Sequence, residues 1–82
     1  MASIVLDMAY DEPTLEEAII RVETEFGLKL EVVNENGPGG GWPEIKFIGD
    51  KSEIIRFLDE AYGMDDPMSI YDRSEMIDSI ED

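Results

Sequence analysis

The chain has 82 residues, of which 21 are acidic and 6 are basic, so it carries a net charge of −15. It contains no histidine and no cysteine, which excludes disulfide bonds, thiolate zinc sites and the general-base or nucleophile chemistry of those two residue types. A surface this negative repels nucleic acid, anionic lipid and phosphorylated metabolites, and it attracts basic protein surfaces. We therefore expect one small, non-enzymatic, cytoplasmic domain that uses no cofactor.

The first third of the chain predicts a strand followed by a helix. Residues 3–9 alternate apolar side chains with others and are rich in β-branched types, as is typical of a strand. Thr14 with Glu17 is a capping box and Gly27 is a helix stop, which predicts a helix over 14–26. Its apolar residues recur at helical spacing and form a core stripe: Leu15, Ala18, Ile19, Val22 and Phe26.

The middle of the chain predicts a hairpin and a second helix. Residues 28–35 and 44–48 both alternate apolar and polar side chains, and the turn-rich segment 34–43 joins them. A second capping pattern at Asp50 opens a helix over 52–62. The predicted core stripe of this helix is Ile54, Phe57, Leu58 and Ala61.

This order of elements predicts an α+β fold of the ferredoxin-like β-α-β-β-α(-β) type, with two helices on one face of a three- or four-stranded sheet. Residues 68–71 could add an edge strand beside the first strand, and Ser74 could cap a short final helix that carries Met76, Ile77 and Ile80. We assign 1–63 to a single domain and 64–82 to an acidic and apolar C-terminal segment. That segment either packs on the domain or binds a partner and orders on contact.

The glycine-rich stretch 37–43 (GPGGGWP) is the one motif-like feature of the chain. A phosphate cradle needs glycines between a strand and a helix N-terminus, usually with a lysine nearby. Here a strand follows and no basic residue lies in the loop. We interpret the stretch as a wide hairpin loop, in which Trp42 either folds back on the sheet or serves as an exposed anchor for a protein partner.

The carboxylates include several adjacent pairs, but adjacent side chains point in different directions and no DxDxDG calcium loop is present. We therefore predict neither a two-carboxylate hydrolase nor a metal site. Gathered on one side, the same residues would form a negative stripe resembling duplex DNA, which presents about one charge per 1.7 Å of axis. The residues predicted to contact a partner are Glu16, Glu17, Glu23, Glu25, Trp42, Asp59, Glu60, Asp65 and Asp66.

The segment NENGPGGGWPEIKFIGD, with the flanking strand and helix, resembles small uncharacterised acidic proteins encoded by tailed bacteriophages, over about residues 28–63. Small acidic phage proteins are often inhibitors that imitate DNA. The resemblance thus implies a host DNA- or RNA-binding protein as the partner and the host cytoplasm as the location. The residues also leave open a homodimeric scaffold, because Val5, Val33 and Ile48 are expected to align on the open face of the sheet.

Overall fold

The computed structural model describes residues 1–35, 41–61 and 73–82. These ranges contain β1 (Ala2–Asp7), α1 (Leu15–Phe26), β2 (Lys29–Asn34), β3 (Glu44–Gly49), α2 (Lys51–Ala61) and α3 (Arg73–Asp78). The three strands and two long helices predicted from the sequence are confirmed, with bounds that differ by one or two residues. The fourth strand predicted at 68–71 lies outside the described residues.

The three strands form one antiparallel sheet in the order β1-β3-β2. Ala2 lies opposite Gly49 at one end of β1, and Asp7 lies opposite Glu44 at the other. Because both outer strands are antiparallel to β3, they run parallel to each other, and α1 provides the crossover between them. The described fold is therefore α+β, with its helices packed against an open antiparallel sheet.

The boundaries of α1 are set by the two caps that the sequence predicts. The Thr14 hydroxyl oxygen accepts a hydrogen bond of 3.2 Å from the backbone N–H of Glu17. At the other end Gly27 adopts a left-handed conformation with φ of 66° and donates its N–H to the carbonyl of Glu23. Glycine adopts this conformation without a steric penalty from a side chain.

The core lies between the inward face of the sheet and the two long helices. The Phe57 ring of α2 lies 4.6 Å from that of Phe47 on β3 and 5.2 Å, edge to face, from that of Phe26 on α1. The prediction that Ala61 belongs to the core stripe is wrong, because α2 ends there and leaves Ala61 exposed. The large residues that are most completely buried are Phe47, Phe57, Ile45, Ile54, Leu58 and Val22.

The end of the chain packs beside the outer edge of β1. Ser3 and Glu81 exchange two backbone hydrogen bonds of 2.7 and 2.8 Å, and Ile80 is buried in the same core as Ile4. The predicted final helix is present as α3, but the predicted cap is wrong, because the helix begins at Arg73 and includes Ser74, and Ile80 lies after its end. Residues 73–82 are thus part of the folded body.

Candidate partner-binding surface

The topology gathers acidic residues from distant parts of the sequence at one end of the molecule. β1 and β2 end there, β3 begins there, α1 starts there and α2 finishes there. We call this region the acidic end. Its carboxylates are Asp7, Asp11, Glu12, Glu16, Glu17, Glu35, Glu44, Asp59 and Glu60.

The opposite end of the sheet carries charges of both signs, and its acids include Asp50, Glu53, Glu81 and Asp82. Lys29 begins β2 and Lys51 begins α2 at that end, close to the start of β1. Arg21 and Lys46 lie nearer to the acidic end. Lys46 lies in the middle of its strand, opposite Val5. The two ends therefore differ chiefly in Lys29 and Lys51, which lie at the end opposite the acidic end.

Glu16 and Glu17 lie in the first turn of α1, exposed at the acidic end. Negative charge is favourable in this position because the unpaired N–H groups of the first turn carry partial positive charge. The acidic residues of α1 do not form one stripe, since at about 100° per residue Glu23 and Glu25 point to opposite flanks. Ile20, which is 57% exposed, interrupts the outer face of the helix.

The Glu23 side chain links α1 to β2 through a hydrogen bond. Its carboxylate accepts a 2.9 Å hydrogen bond from the backbone N–H of Leu30 on β2. β2 is an outer strand of the three-stranded sheet, so this N–H points away from β3. Without the Glu23 carboxylate it would have no hydrogen-bond partner in the sheet. The sequence-based assignment of Glu23 to a binding surface overlooked this bond, because its two partners lie on different elements.

Arg21 and Glu12 form an ion pair at the acidic end. The Arg21 Nε lies 2.9 Å from the Glu12 carboxylate, and its Nη1 lies 3.8 Å from that of Glu25. The hydrogen bond from Arg21, together with its charge, holds the pKa of Glu12 below its usual value, and the same bond raises the pKa of Arg21. Glu12 and Glu25 are therefore partly neutralised within the protein.

Arg56 neutralises a second group of acids, where α2 approaches the end of α1. It donates to the carboxylate of Glu53 at 2.9 Å, to that of Glu60 at 3.4 Å and to the carbonyl oxygen of Glu25 at 3.0 Å. Its guanidinium also lies 4.7 Å from the centre of the Phe26 ring. The bond to Glu53 is the main cause of the raised pKa of Arg56. Glu60 is thus less available to a partner than the sequence suggested.

The remaining predicted acids have mixed positions. Asp59 is half-buried near the end of α2. Asp65 and Asp66 lie outside the described residues. Asp7 and Glu44, which were not predicted as partner contacts, face each other directly across β1 and β3. Only the register reveals this pair, because the two residues are far apart in the sequence.

Trp42 is exposed beside the acidic end, just before β3. Its side chain is 52% exposed, and its ring centre lies 5.7 Å from that of Tyr10, with the planes inclined at 59°. The neighbouring Pro43 carbonyl accepts a 3.0 Å hydrogen bond from the N–H of Met8, which ties the two loops together. The structure thus presents Trp42 at the surface, and Tyr10 is the contact that the sequence did not reveal.

A cavity of about 650 Å³ opens next to this aromatic pair. Leu6, Met8, Val22, Phe57, Ala61 and Met76 provide its apolar walls, and Asp7, Arg21 and Trp42 lie around them. The volume falls within the range of about 300–1,000 Å³ that is common for binding pockets. The acidic end therefore combines negative charge with an apolar recess.

The open face of the sheet does not carry the expected aliphatic row. Val5 lies opposite Lys46, which lies opposite Glu31, so two charged residues occupy the middle of that face. Val33 falls at a bulge and has no paired residue on β3, because the register shifts between Val32 and Asn34. The prediction that Val5, Val33 and Ile48 align is therefore wrong, although Val5 and Val33 are exposed.

Two further observations concern the described residues alone. No group of three or more acidic side chains among them is arranged to hold a metal ion. None of their helices is both long enough and apolar enough to cross a membrane.

Comparisons of the chain with protein-family models, with curated proteins and with solved structures found no match.

Proposed function

We propose that this protein is a non-enzymatic inhibitor whose acidic end imitates the charge of a nucleic-acid backbone and blocks the basic cleft of a DNA- or RNA-binding protein. The observation that carries the proposal is the clustering of carboxylates from four elements and two loops at one end of the sheet. Sequence alone would also allow a negative charge spread evenly for solubility. A local group of carboxylates favours recognition, because a concentrated field steers a basic partner to one surface.

One pair of carboxylates at the acidic end lies at a spacing comparable to that of the phosphates of DNA. Asp7 and Glu44 are directly opposed, and residues paired in this way have Cα atoms about 4.5–5.5 Å apart. Each DNA strand carries about one phosphate per 3.4 Å of axis. Two carboxylates at such a spacing can occupy lysine and arginine side chains that otherwise bind successive phosphates.

Holding Asp7 and Glu44 together has a cost for the fold. Like charges directly opposite each other on a sheet are destabilising, and no described cation forms an ion pair with either residue. Arg21 and Arg56 instead pair with Glu12, Glu25, Glu53 and Glu60. Unneutralised charge of this kind is expected where a basic partner supplies the counter-charge.

The proposal can be tested with two charge-matched variants. The first reverses three exposed residues of the acidic end: Asp11→Lys, Glu16→Lys and Glu35→Lys. The second reverses three exposed residues at the end of the chain, beside the start of β1: Asp78→Lys, Glu81→Lys and Asp82→Lys. Both variants change the net charge equally, so they differ only in position.

Each protein is immobilised and incubated with a bacterial lysate, and bound proteins are eluted with a duplex DNA oligonucleotide. We expect nucleic-acid-binding proteins to be retained by the wild type and the second variant, to be lost from the first, and to be released by DNA. Equal retention by both variants would show that only total charge matters. Retained proteins that DNA does not release would exclude nucleic-acid mimicry.

We also infer that the complete fold is the ferredoxin-like sandwich. Parallel β1 and β2 on either side of β3, with α1 as the crossover, match three strands of that fold. The Ser3–Glu81 bridge supports a further antiparallel segment along the outer edge of β1. Slow amide exchange at Val5 and Asp7, whose N–H groups point toward that edge, would support a fourth strand, and rapid exchange would argue against one.

A further inference from the structure

We propose that the cavity at the acidic end binds one apolar side chain, such as leucine or phenylalanine, from a basic segment of the partner. This inference deepens the proposed function and rests on it. A purely electrostatic mimic needs no recess, whereas this recess opens within the charged surface itself. Its position therefore favours a partner that inserts an anchor while its basic residues contact the surrounding carboxylates.

The walls of the cavity are suited to an aliphatic or aromatic side chain. Met8 and Met76 contribute flexible thioethers, which adapt to irregular apolar shapes. Val22 and Phe57 form part of the packed core, so the base of the cavity is rigid. An anchor that enters here loses contact with water without displacing a core residue.

The surroundings of the cavity favour a basic segment over an acidic one. The charge of Arg21 is engaged by Glu12 at 2.9 Å, whereas Asp7 is exposed and lies opposite another carboxylate. The exposed ring of Trp42 offers a face on which a lysine or arginine can lie. Charge complementarity therefore selects cations on both sides of the apolar anchor.

Two synthetic lysine-rich peptides of equal charge provide the probe. One carries a single central leucine, and the other carries serine at that position. Trp42 is the only tryptophan of the chain, so its fluorescence reports binding next to the cavity. We expect the leucine peptide to bind about 10- to 100-fold more tightly, as the burial of one leucine side chain implies.

A variant with a filled cavity tests where this preference arises. Ala61→Phe places a ring at the cavity from an exposed position, and Thr24→Phe adds the same ring at an exposed site of α1 that does not line it. We expect Ala61→Phe to abolish the preference for leucine and to leave binding of the serine peptide unchanged. Thr24→Phe should retain the preference. Circular dichroism checks that both variants fold, and the peptide comparison on the wild type needs no variant.

The outcomes separate this inference from the proposed function. Equal binding of the two peptides to the wild type, as expected if residues 62–72 of this chain occupy the cavity, overturns the anchor. A preference for leucine that persists in Ala61→Phe also overturns it. If the acidic-end variant with Asp11, Glu16 and Glu35 reversed binds both peptides as tightly as the wild type does, the electrostatic function fails instead.

Discussion

Replacing Glu23 by alanine should destabilise the protein even though the change removes one negative charge from a chain of net charge −15. The Glu23 carboxylate accepts a 2.9 Å hydrogen bond from the N–H of Leu30, which is itself buried. A hydrogen bond to a charged group contributes about 1.5–3 kcal/mol. The better helix propensity of alanine and the relief of charge repulsion offset part of this. We expect a net loss of about 1–2 kcal/mol, or about 5–10 °C in the midpoint of thermal unfolding.

Glu25→Ala is the matched control for this prediction. It lies in the same last turns of α1 and removes the same charge, but its carboxylate makes only an exposed 3.8 Å contact with Arg21. Such contacts contribute about 0–1 kcal/mol, so Glu25→Ala should remain within about 0.5 kcal/mol of the wild type. Urea unfolding measures both variants, and hydrogen exchange should show faster exchange of the Leu30 amide in Glu23→Ala alone. Equal stability of the two variants would refute the structural role of Glu23.

Three further predictions concern the core, the ion pair and the open sheet face. Phe57→Ala should cost about 3–5 kcal/mol, because it removes a fully buried ring; a loss below about 1 kcal/mol in urea unfolding would contradict the packing described. The pKa of Glu12 is lower in the folded state than its ordinary value of 4.5, so its pairing with Arg21 stabilises the fold above that pH and is lost as the pH falls through the lowered pKa. The free energy of unfolding of the wild type should therefore exceed that of Glu12→Gln at pH 7, and this difference should disappear as the pH falls to 3. A difference that stays constant with pH would exclude the ion pair. Val33→Glu should leave the elution volume on a sizing column unchanged, since charged residues separate the exposed valines; a shift from dimer to monomer would restore the scaffold hypothesis.

Local patterns predicted the elements of this fold well. The cap at Thr14 and the stop at Gly27 depend on residues three or four positions apart, so the sequence contains all the information needed to locate α1. Strict alternation likewise predicted that Ile45 and Phe47 are buried. The exposure of Ala61 was harder to predict, because periodicity indicates which face of a helix is apolar but not where the neighbouring elements stop covering that face.

The candidate site depended on long-range geometry that periodicity does not contain. Asp7 meets Glu44 only through the pairing of β1 with β3. Similarly, the bulge at Val33 removed an alignment that simple alternation predicted. Exposed glutamates also look alike in a sequence, although Glu23 is bound to a neighbouring strand and Glu16 lies in the exposed first turn of its helix. The missing information was the pairing of the elements in space: the register of β1 with β3, the bulge in β2 and the contact of α1 with β2.

The association rate of a captured partner, measured against ionic strength, tests the central claim most directly. For the wild type and for the variant reversed at Asp78, Glu81 and Asp82, the rate should fall steeply as the Debye length shortens from about 10 Å at 0.1 M salt to about 3 Å at 1 M. The variant reversed at Asp11, Glu16 and Glu35 should associate at least about tenfold more slowly at low salt and show a much weaker dependence on salt. If both variants lose the same fraction of the rate, the acidic end has no special role and the proposed function is wrong.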